Sequence, residues 1–148
     1  MKQTGATSTS TEDYLERIQE LIEAKGYARS VDIAEALGIR QPSVTAMVQK
    51  LGKDGYLNYE RYRGLTLTAK GRKVAAEIRE RHETLTRFFT LLKVSPETQE
   101  RDIEGIEHCL SPETLAALAA LADYFEATPA AARELAKFAR KAAAARPQ

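Results

Sequence analysis

The chain has 148 residues, 43% of them hydrophobic and 29% charged, which suits a soluble protein of one domain or two small ones sharing helices. No run approaches the ~20 apolar residues of a membrane span, and a single cysteine, Cys109, excludes an internal disulfide and fits a reducing cytoplasm. The net charge of +1 points to no partner, but its distribution does: Lys25 to Lys73 holds ten Lys or Arg against four Asp or Glu, and Lys93 to Thr128 holds two against eight. The first stretch suits phosphates and the second suits cations, although solvated surfaces also vary in charge by chance.

Residues 1–10 lack the apolar segment of a signal peptide and read as a short disordered arm. From Thr11, a capping residue with Asp13 in the first turn, a helix is expected to Lys25, striped by Tyr14, Leu15, Ile18, Leu21 and Ile22 and ended by Gly26. A second helix fits Ser30 to Leu37, capped by Ser30. A third begins near Pro42 and buries Val44, Met47, Val48 and Leu51 at i, i+3, i+4 and i+7. Two β-like runs, Tyr56 to Glu60 and Leu65 to Thr68, flank a basic hairpin tip, Arg61-Tyr62-Arg63-Gly64. A long helix capped by Thr68 follows from Ala69 to about Leu92. Ser95-Pro96, Ser111-Pro112 and Thr128-Pro129 then start three more, each a hydroxyl cap followed by proline. The Ala-rich end, 142–148, reads as a disordered tail. The fold class expected is mostly α: an N-terminal winged helix-turn-helix with a two-stranded β-wing over 11–75, then a linker helix and an all-helical part over 76–141.

Two short helices joined by a glycine turn and followed by a ribbon make a reader of DNA. On the third helix Ser43, Thr45, Ala46, Gln49 and Lys50 face away from the apolar arc. That face is small and hydrogen-bonding, with one cation and no carboxylate, as close approach to base edges and phosphates requires. Arg40, Gln41 and Pro42 at the start of this helix, and Arg61, Tyr62 and Arg63 at the wing tip, complete the candidate DNA contacts.

The only histidines are His82 and His108. Glu104, Glu107 and His108 are spaced i, i+3 and i+4, so one helical turn offers two carboxylates and an imidazole to one cation. Gly105 among them suggests a close backbone approach or a bare carbonyl. His82 shares its arc with Ile78, Leu85 and Phe89 and points inward, where a lone histidine is more often a satisfied core residue. Asp13 and Glu16 are i, i+3 neighbours on a side shared with Glu20 and Glu23, which alone reads as a solvated acidic face.

The stretches E-D-Y-L-E, E-A-K-G-Y-A-R, D-I-A-E-A-L, P-S-V-T-A-M-V-Q-K-L, Y-R-G-L-T-L-T, R-H-E and D-I-E-G-I-E-H, in order from Thr11 to Glu126, resemble the manganese transport regulators of the diphtheria toxin repressor family. The resemblance implies a homodimer whose subunits each carry a winged helix and a helical dimerisation domain, without the SH3-like third domain of larger members. It implies metal ligands at Asp13, Glu16, His82, Glu104, Glu107 and His108. Where the iron-responsive branch has Cys, this chain has Glu104; where it has Met, this chain has Asp13; hard oxygen donors there point to Mn(II). Four carboxylates and two neutral imidazoles carry a charge of about −4, which repels itself until cations enter, so two ions per subunit are expected. Cys109 takes no ligand role and is expected to be a small buried thiol.

The function expected is a manganese-responsive DNA-binding regulator, repressing metal uptake from a palindromic operator in double-stranded DNA; an iron- or zinc-responsive repressor of the same family is the alternative. No separate nucleophile or general base stands beyond the candidate ligands, so no enzyme activity and no small organic substrate are expected.

Overall fold

The computed structural model describes residues 9–145. In chain order they form α1 (Thr9–Lys25), α2 (Ser30–Leu37), α3 (Gln41–Lys53), β1 (Leu57–Glu60), β2 (Gly64–Leu67), α4 (Ala69–Leu91), α5 (Pro96–Ile106), a 3-10 turn (Glu107–Cys109), α6 (Pro112–Ala127) and α7 (Pro129–Ala145). The chain divides into two compact units between Arg79 and Glu80, within α4. The architecture is the mostly helical one read from the sequence, with an antiparallel two-stranded wing.

The first unit closes around one core. α1 supplies Tyr14, Leu15 and Ile18, α2 supplies Ile33 and Ala34, and α3 supplies Val44 and Leu51. The wing adds Leu57, Leu65 and Leu67, and α4 adds Ala75. Leu15, Ile18, Ile33 and Leu51 are fully buried, each worth ~1.5–3 kcal/mol relative to exposure. The strands pair Leu57 with Leu67, Asn58 with Thr66, Tyr59 with Leu65 and Glu60 with Gly64.

Two glycines fix how the wing sits. Gly64 has φ 76° and lies so close to the α1–α2 connection that a Cβ there would stand 2.6 Å from the Ala28 carbonyl oxygen. The same oxygen accepts the Leu65 N–H at 3.0 Å. At Gly71 a Cβ would stand 2.2 Å from the Tyr56 carbonyl oxygen. The first turn of α4 is therefore pressed onto the α3–β1 connection. Thr68 Oγ1 donates to Gly55 O at 2.7 Å and accepts from Gly71 N, while Lys70 Nζ donates to Asp54 O at 2.8 Å. Carbonyls that the end of α3 leaves without helical partners are satisfied from α4.

The second unit buries far less. Leu85, Ile103 and Ala122 are its buried apolar residues among those described, joined by Thr84, Gln99 and Glu107. Ser95 and Ser111 cap α5 and α6, accepting from Thr98 N and Thr114 N. Gln99 donates to Val94 O at 2.8 Å, securing the turn before α5. α7 buries no residue, and Leu121, Tyr124 and Phe138 are 46%, 56% and 71% exposed.

Several local expectations are corrected. α1 begins at Thr9, so residues 9 and 10 are helical rather than part of an arm, and Thr11 is buried inside the helix instead of capping it. The rest of the expected arm lies outside the described residues. Arg29, with extended backbone and no side-chain cap bond, takes the capping position of α2 instead of Ser30. α7 continues to Ala145, so 142–145 are helical rather than a disordered tail, in keeping with the high helix propensity of its alanines; residues 146–148 lie outside the described residues.

Candidate nucleic-acid interface and metal centre

α3 divides as its pattern requires. Val44 and Leu51 are buried and Met47 and Val48 half-buried, while Gln41, Pro42, Ser43, Thr45, Ala46, Gln49 and Lys50 are all exposed. Arg40 caps the helix and is exposed too. The outward face thus carries amide, hydroxyl and ammonium groups and no acid, free to meet donors and acceptors in a major groove. Thr45 Oγ1 donates to Gln41 O at 3.1 Å, which holds its methyl and hydroxyl in one orientation.

The wing tip turns through Arg61, Tyr62 and Arg63, closed by the Arg63 N–H on Glu60 O at 3.2 Å. Tyr62 is 91% exposed, with the Arg61 guanidinium 5.8 Å from its ring centre. Tyr59 on β1 is also largely exposed, although its strand partner Leu65 is buried. Strand alternation alone does not mark Tyr59 as exposed.

The metal-ligand candidates fall in both units, and each group has its own geometry. On α1, Asp13 and Glu16 are half-buried. In the second unit, α5 ends at Ile106 and the chain tightens into the 3-10 turn. Glu104 is exposed on α5, while Glu107, whose N–H still donates to Ile103 O, opens the 3-10 turn that carries His108. The turn drives Glu107 inward, to 2% side-chain exposure, between two imidazoles. His82 Nδ1 lies 3.1 Å from Glu107 Oε2, and His108 Nε2 lies 3.7 Å from Glu107 Oε1. His82 itself is not a core residue, since its side chain is 44% exposed.

Burial pushes the Glu107 carboxyl above its ordinary range, and the nearby Glu104 adds to this, while the charge and hydrogen bond of His82 and the charge of His108 oppose it. A buried carboxylate is costly unless cationic partners surround it. The donor set of carboxylate oxygens and imidazole nitrogens is thus chemically suited to a divalent ion. In this arrangement the groups are spent on one another. Among the described residues, no three His, Cys, Asp or Glu side chains are grouped to hold an ion.

Two further expectations change. A Cβ at Gly105 would meet open space, so no close backbone approach explains that glycine. Cys109 is exposed rather than buried, because the 3-10 turn carries it outward after Glu107 turns in.

Residues 6–65 match the N-terminal DNA binding domain of the iron dependent repressors, and residues 68–135 match their metal binding and dimerisation domain. The HTH-type transcriptional regulator MntR of Bacillus subtilis (strain 168) is 49% identical over 91% of this chain and 95% of its own length. The chain belongs to the iron-dependent repressor family. A second family member, MntR of Geobacillus kaustophilus (strain HTA426), is 56% identical over 79% of this chain and 83% of its own. Among solved repressor structures, the manganese regulator SloR (TM-score 0.68) and ScaR with bound zinc (TM-score 0.69) are each 28% identical over 77% of this chain. The chain spans 54% of the length of those two solved proteins.

Proposed function

We propose that the chain is a manganese-responsive transcriptional repressor acting as a homodimer on double-stranded DNA, and that it is not an enzyme. The observation that carries the metal half of this reading is Glu107: a carboxylate 2% exposed, with an imidazole at each oxygen. The DNA half rests on the acid-free exposed face of α3 beside a wing tipped by arginines.

The ligands we assign are Asp13, Glu16, His82, Glu104, Glu107 and His108. Mn(II) bound there, two ions per subunit, supplies positive charge to a set of carboxylates that otherwise repel. The His82–Glu107 contact uses Nδ1 and Oε2, leaving His82 Nε2 available to an ion. Hard oxygen donors at Asp13 and Glu104 favour manganese over softer ions. The name of two regulators similar in sequence, MntR, agrees with this choice.

Because the ligands are spread over α1, α4, α5 and the 3-10 turn, cation binding fixes these elements to one another. Two ordered readers in a symmetric dimer address half-sites about one DNA turn apart, hence a palindromic operator. A coupling of ~1–3 kcal/mol is sufficient to change DNA affinity 5–150-fold. Such a regulator works in the cytoplasm, where a single free thiol is stable.

The decisive experiment is DNA affinity measured by fluorescence anisotropy without metal and with Mn(II), Fe(II) or Zn(II). Tightening by Mn(II) well beyond that by Zn(II) supports the reading. Equal tightening by Zn(II) sinks the manganese assignment, and no metal effect sinks the metal response altogether.

A further inference from the structure

One charge cluster of the second unit has no part in reading DNA or holding metal. Arg87 on α4 donates from Nε to Glu126 Oε1 at 2.9 Å and from Nη2 to Glu126 Oε2 at 2.8 Å, a two-pronged grip on one carboxylate of α6. Nη2 also reaches Asp123 Oδ1 at 2.5 Å. A guanidinium fork of this kind fixes direction as well as distance, which a lysine ammonium does not. The grip holds the Glu126 carboxyl below the usual carboxylate range, mainly through its hydrogen bonds to Arg87.

The cluster sits on one side of α6. At about 100° per residue, Ala122, Asp123 and Glu126 share one arc, and Leu121 and Tyr124 fall on the opposite side. Ala122 is the one buried residue of α6. Half-buried Leu115, Leu118 and Phe125 fall on the Ala122 side, and the charged fork fixes the direction of the helix beside this apolar contact. The larger apolar side chains Leu121 and Tyr124 are left 46% and 56% exposed.

We infer that Arg87 is a positioning residue that seats α6 on α4 and so presents the Leu121–Tyr124 face to a second copy of the chain. Residues 68–135 match a metal binding and dimerisation domain, so the occupant we assign to this exposed face within it is a like subunit. Thus the inference rests on the homodimer reading. α4 also carries His82, five residues before Arg87, so one helix bears a proposed metal ligand and the anchor of the docking helix.

The test is self-association of the full chain by sedimentation velocity, with and without Mn(II). The variants are Arg87→Met, Arg87→Lys and the isosteric pair Asp123→Asn with Glu126→Gln. Arg87→Met and the isosteric pair are each expected to weaken the dimer about tenfold, with Arg87→Lys recovering part of the loss. Combining Arg87→Met with the pair is expected to add little, because both remove one shared contact. The salt dependence of dimerisation is expected to flatten in both, which a purely packing role would leave unchanged. Circular dichroism reports whether Arg87→Met keeps its helices; if it does not, the isosteric pair decides. A wild-type chain that stays monomeric overturns the homodimer reading and the role of the clamp with it. A wild-type dimer that neither variant weakens, or losses that add in full, overturns the clamp alone.

Discussion

Up to Arg79 the chain buries a cluster of twelve apolar residues drawn from α1, α2 and α3, the α1–α2 connection at Ala28, both strands and α4. Beyond Glu80, over nearly the same length, only Leu85, Ile103 and Ala122 are buried apolar residues among those described, while Leu121, Tyr124 and Phe138 face outward. The first unit closes a large core of its own, with Val31, Ile39, Tyr59 and Tyr62 left at its surface. The second has a much smaller buried apolar set, and buries the Glu107 carboxyl between two imidazoles. A reader that must fit DNA needs a fixed shape, and a unit that answers a cation and a second subunit needs interactions it does not complete alone.

The largest effect that tests this contrast concerns Glu107. Glu107→Gln is expected to abolish the Mn(II) response, reducing an enhancement of about 5–150-fold to none, with metal-free DNA binding intact. Anisotropy titrations with and without Mn(II) measure it. Thermal unfolding of the metal-free variant is expected at or above the wild-type temperature, because a buried amide costs less than a buried carboxylate. A variant that keeps its Mn(II) response removes Glu107 from the ligand set.

The next effect uses one substitution with opposite signs in the two units. Gly71→Ala drives a methyl into the Tyr56 carbonyl and is expected to cost about 3 kcal/mol. Gly105→Ala meets open space inside α5 and is expected to stabilise by about 0.5–1 kcal/mol. Urea unfolding curves give both values. Equal effects at the two positions contradict the contrast between a pressed and an open unit.

How far the sequence carries the structure differs between the units for the same physical reason. In the first, helical and strand periodicity follow directly from burial, so Val44 and Leu51 inside and Ser43, Thr45 and Gln49 outside are legible from spacing. The hydroxyl caps at Ser95 and Ser111 are legible too, since capping is local. Spacing does not foretell the 3-10 turn after Ile106, on which Glu107 is buried and Cys109 exposed. Nor does it reveal the Arg87 fork, whose partners lie 36 and 39 residues away. Neither local pattern nor composition encodes a contact at that separation.

A smaller effect tests the reader. Arg63 at the wing tip is 75% exposed on its side chain, beside Glu60 at 4.0 Å. Arg63→Ala is expected to weaken binding to all DNA sequences alike and to reduce the slope of log affinity against log salt by about 1. Gln49→Ala, on the α3 face, is expected instead to relax preference between sequences, with a cost of about 1–3 kcal/mol at its own base pair. If Arg63→Ala changes sequence preference and Gln49→Ala does not, the roles of wing and helix are exchanged.

The smallest effect separates two ion pairs that look alike. Glu23 in the first unit and Glu126 in the second are both held below the ordinary carboxylate range, chiefly by hydrogen bonds to Arg79 and Arg87. A carboxyl with a lowered folded pKa stabilises the fold above its unfolded pKa of about 4.3, and that contribution is lost as the pH falls through the folded value. Both pairs are solvent-exposed, so each loss is small. Glu23→Gln and Glu126→Gln should therefore each remove a little of the acid-induced fall in stability, read from unfolding midpoints between neutral pH and the acid range. The units part company in a second readout. Glu23 ties α1 to α4 inside a unit already closed by its core, so Glu23→Gln leaves self-association unchanged at every pH. Glu126 helps to hold the helix that carries the exposed Leu121–Tyr124 face, so Glu126→Gln weakens self-association at neutral pH and reduces its dependence on acid, the remainder resting on Asp123. Identical behaviour of the two variants would mean that the second unit fixes α6 by some contact other than the Arg87 fork.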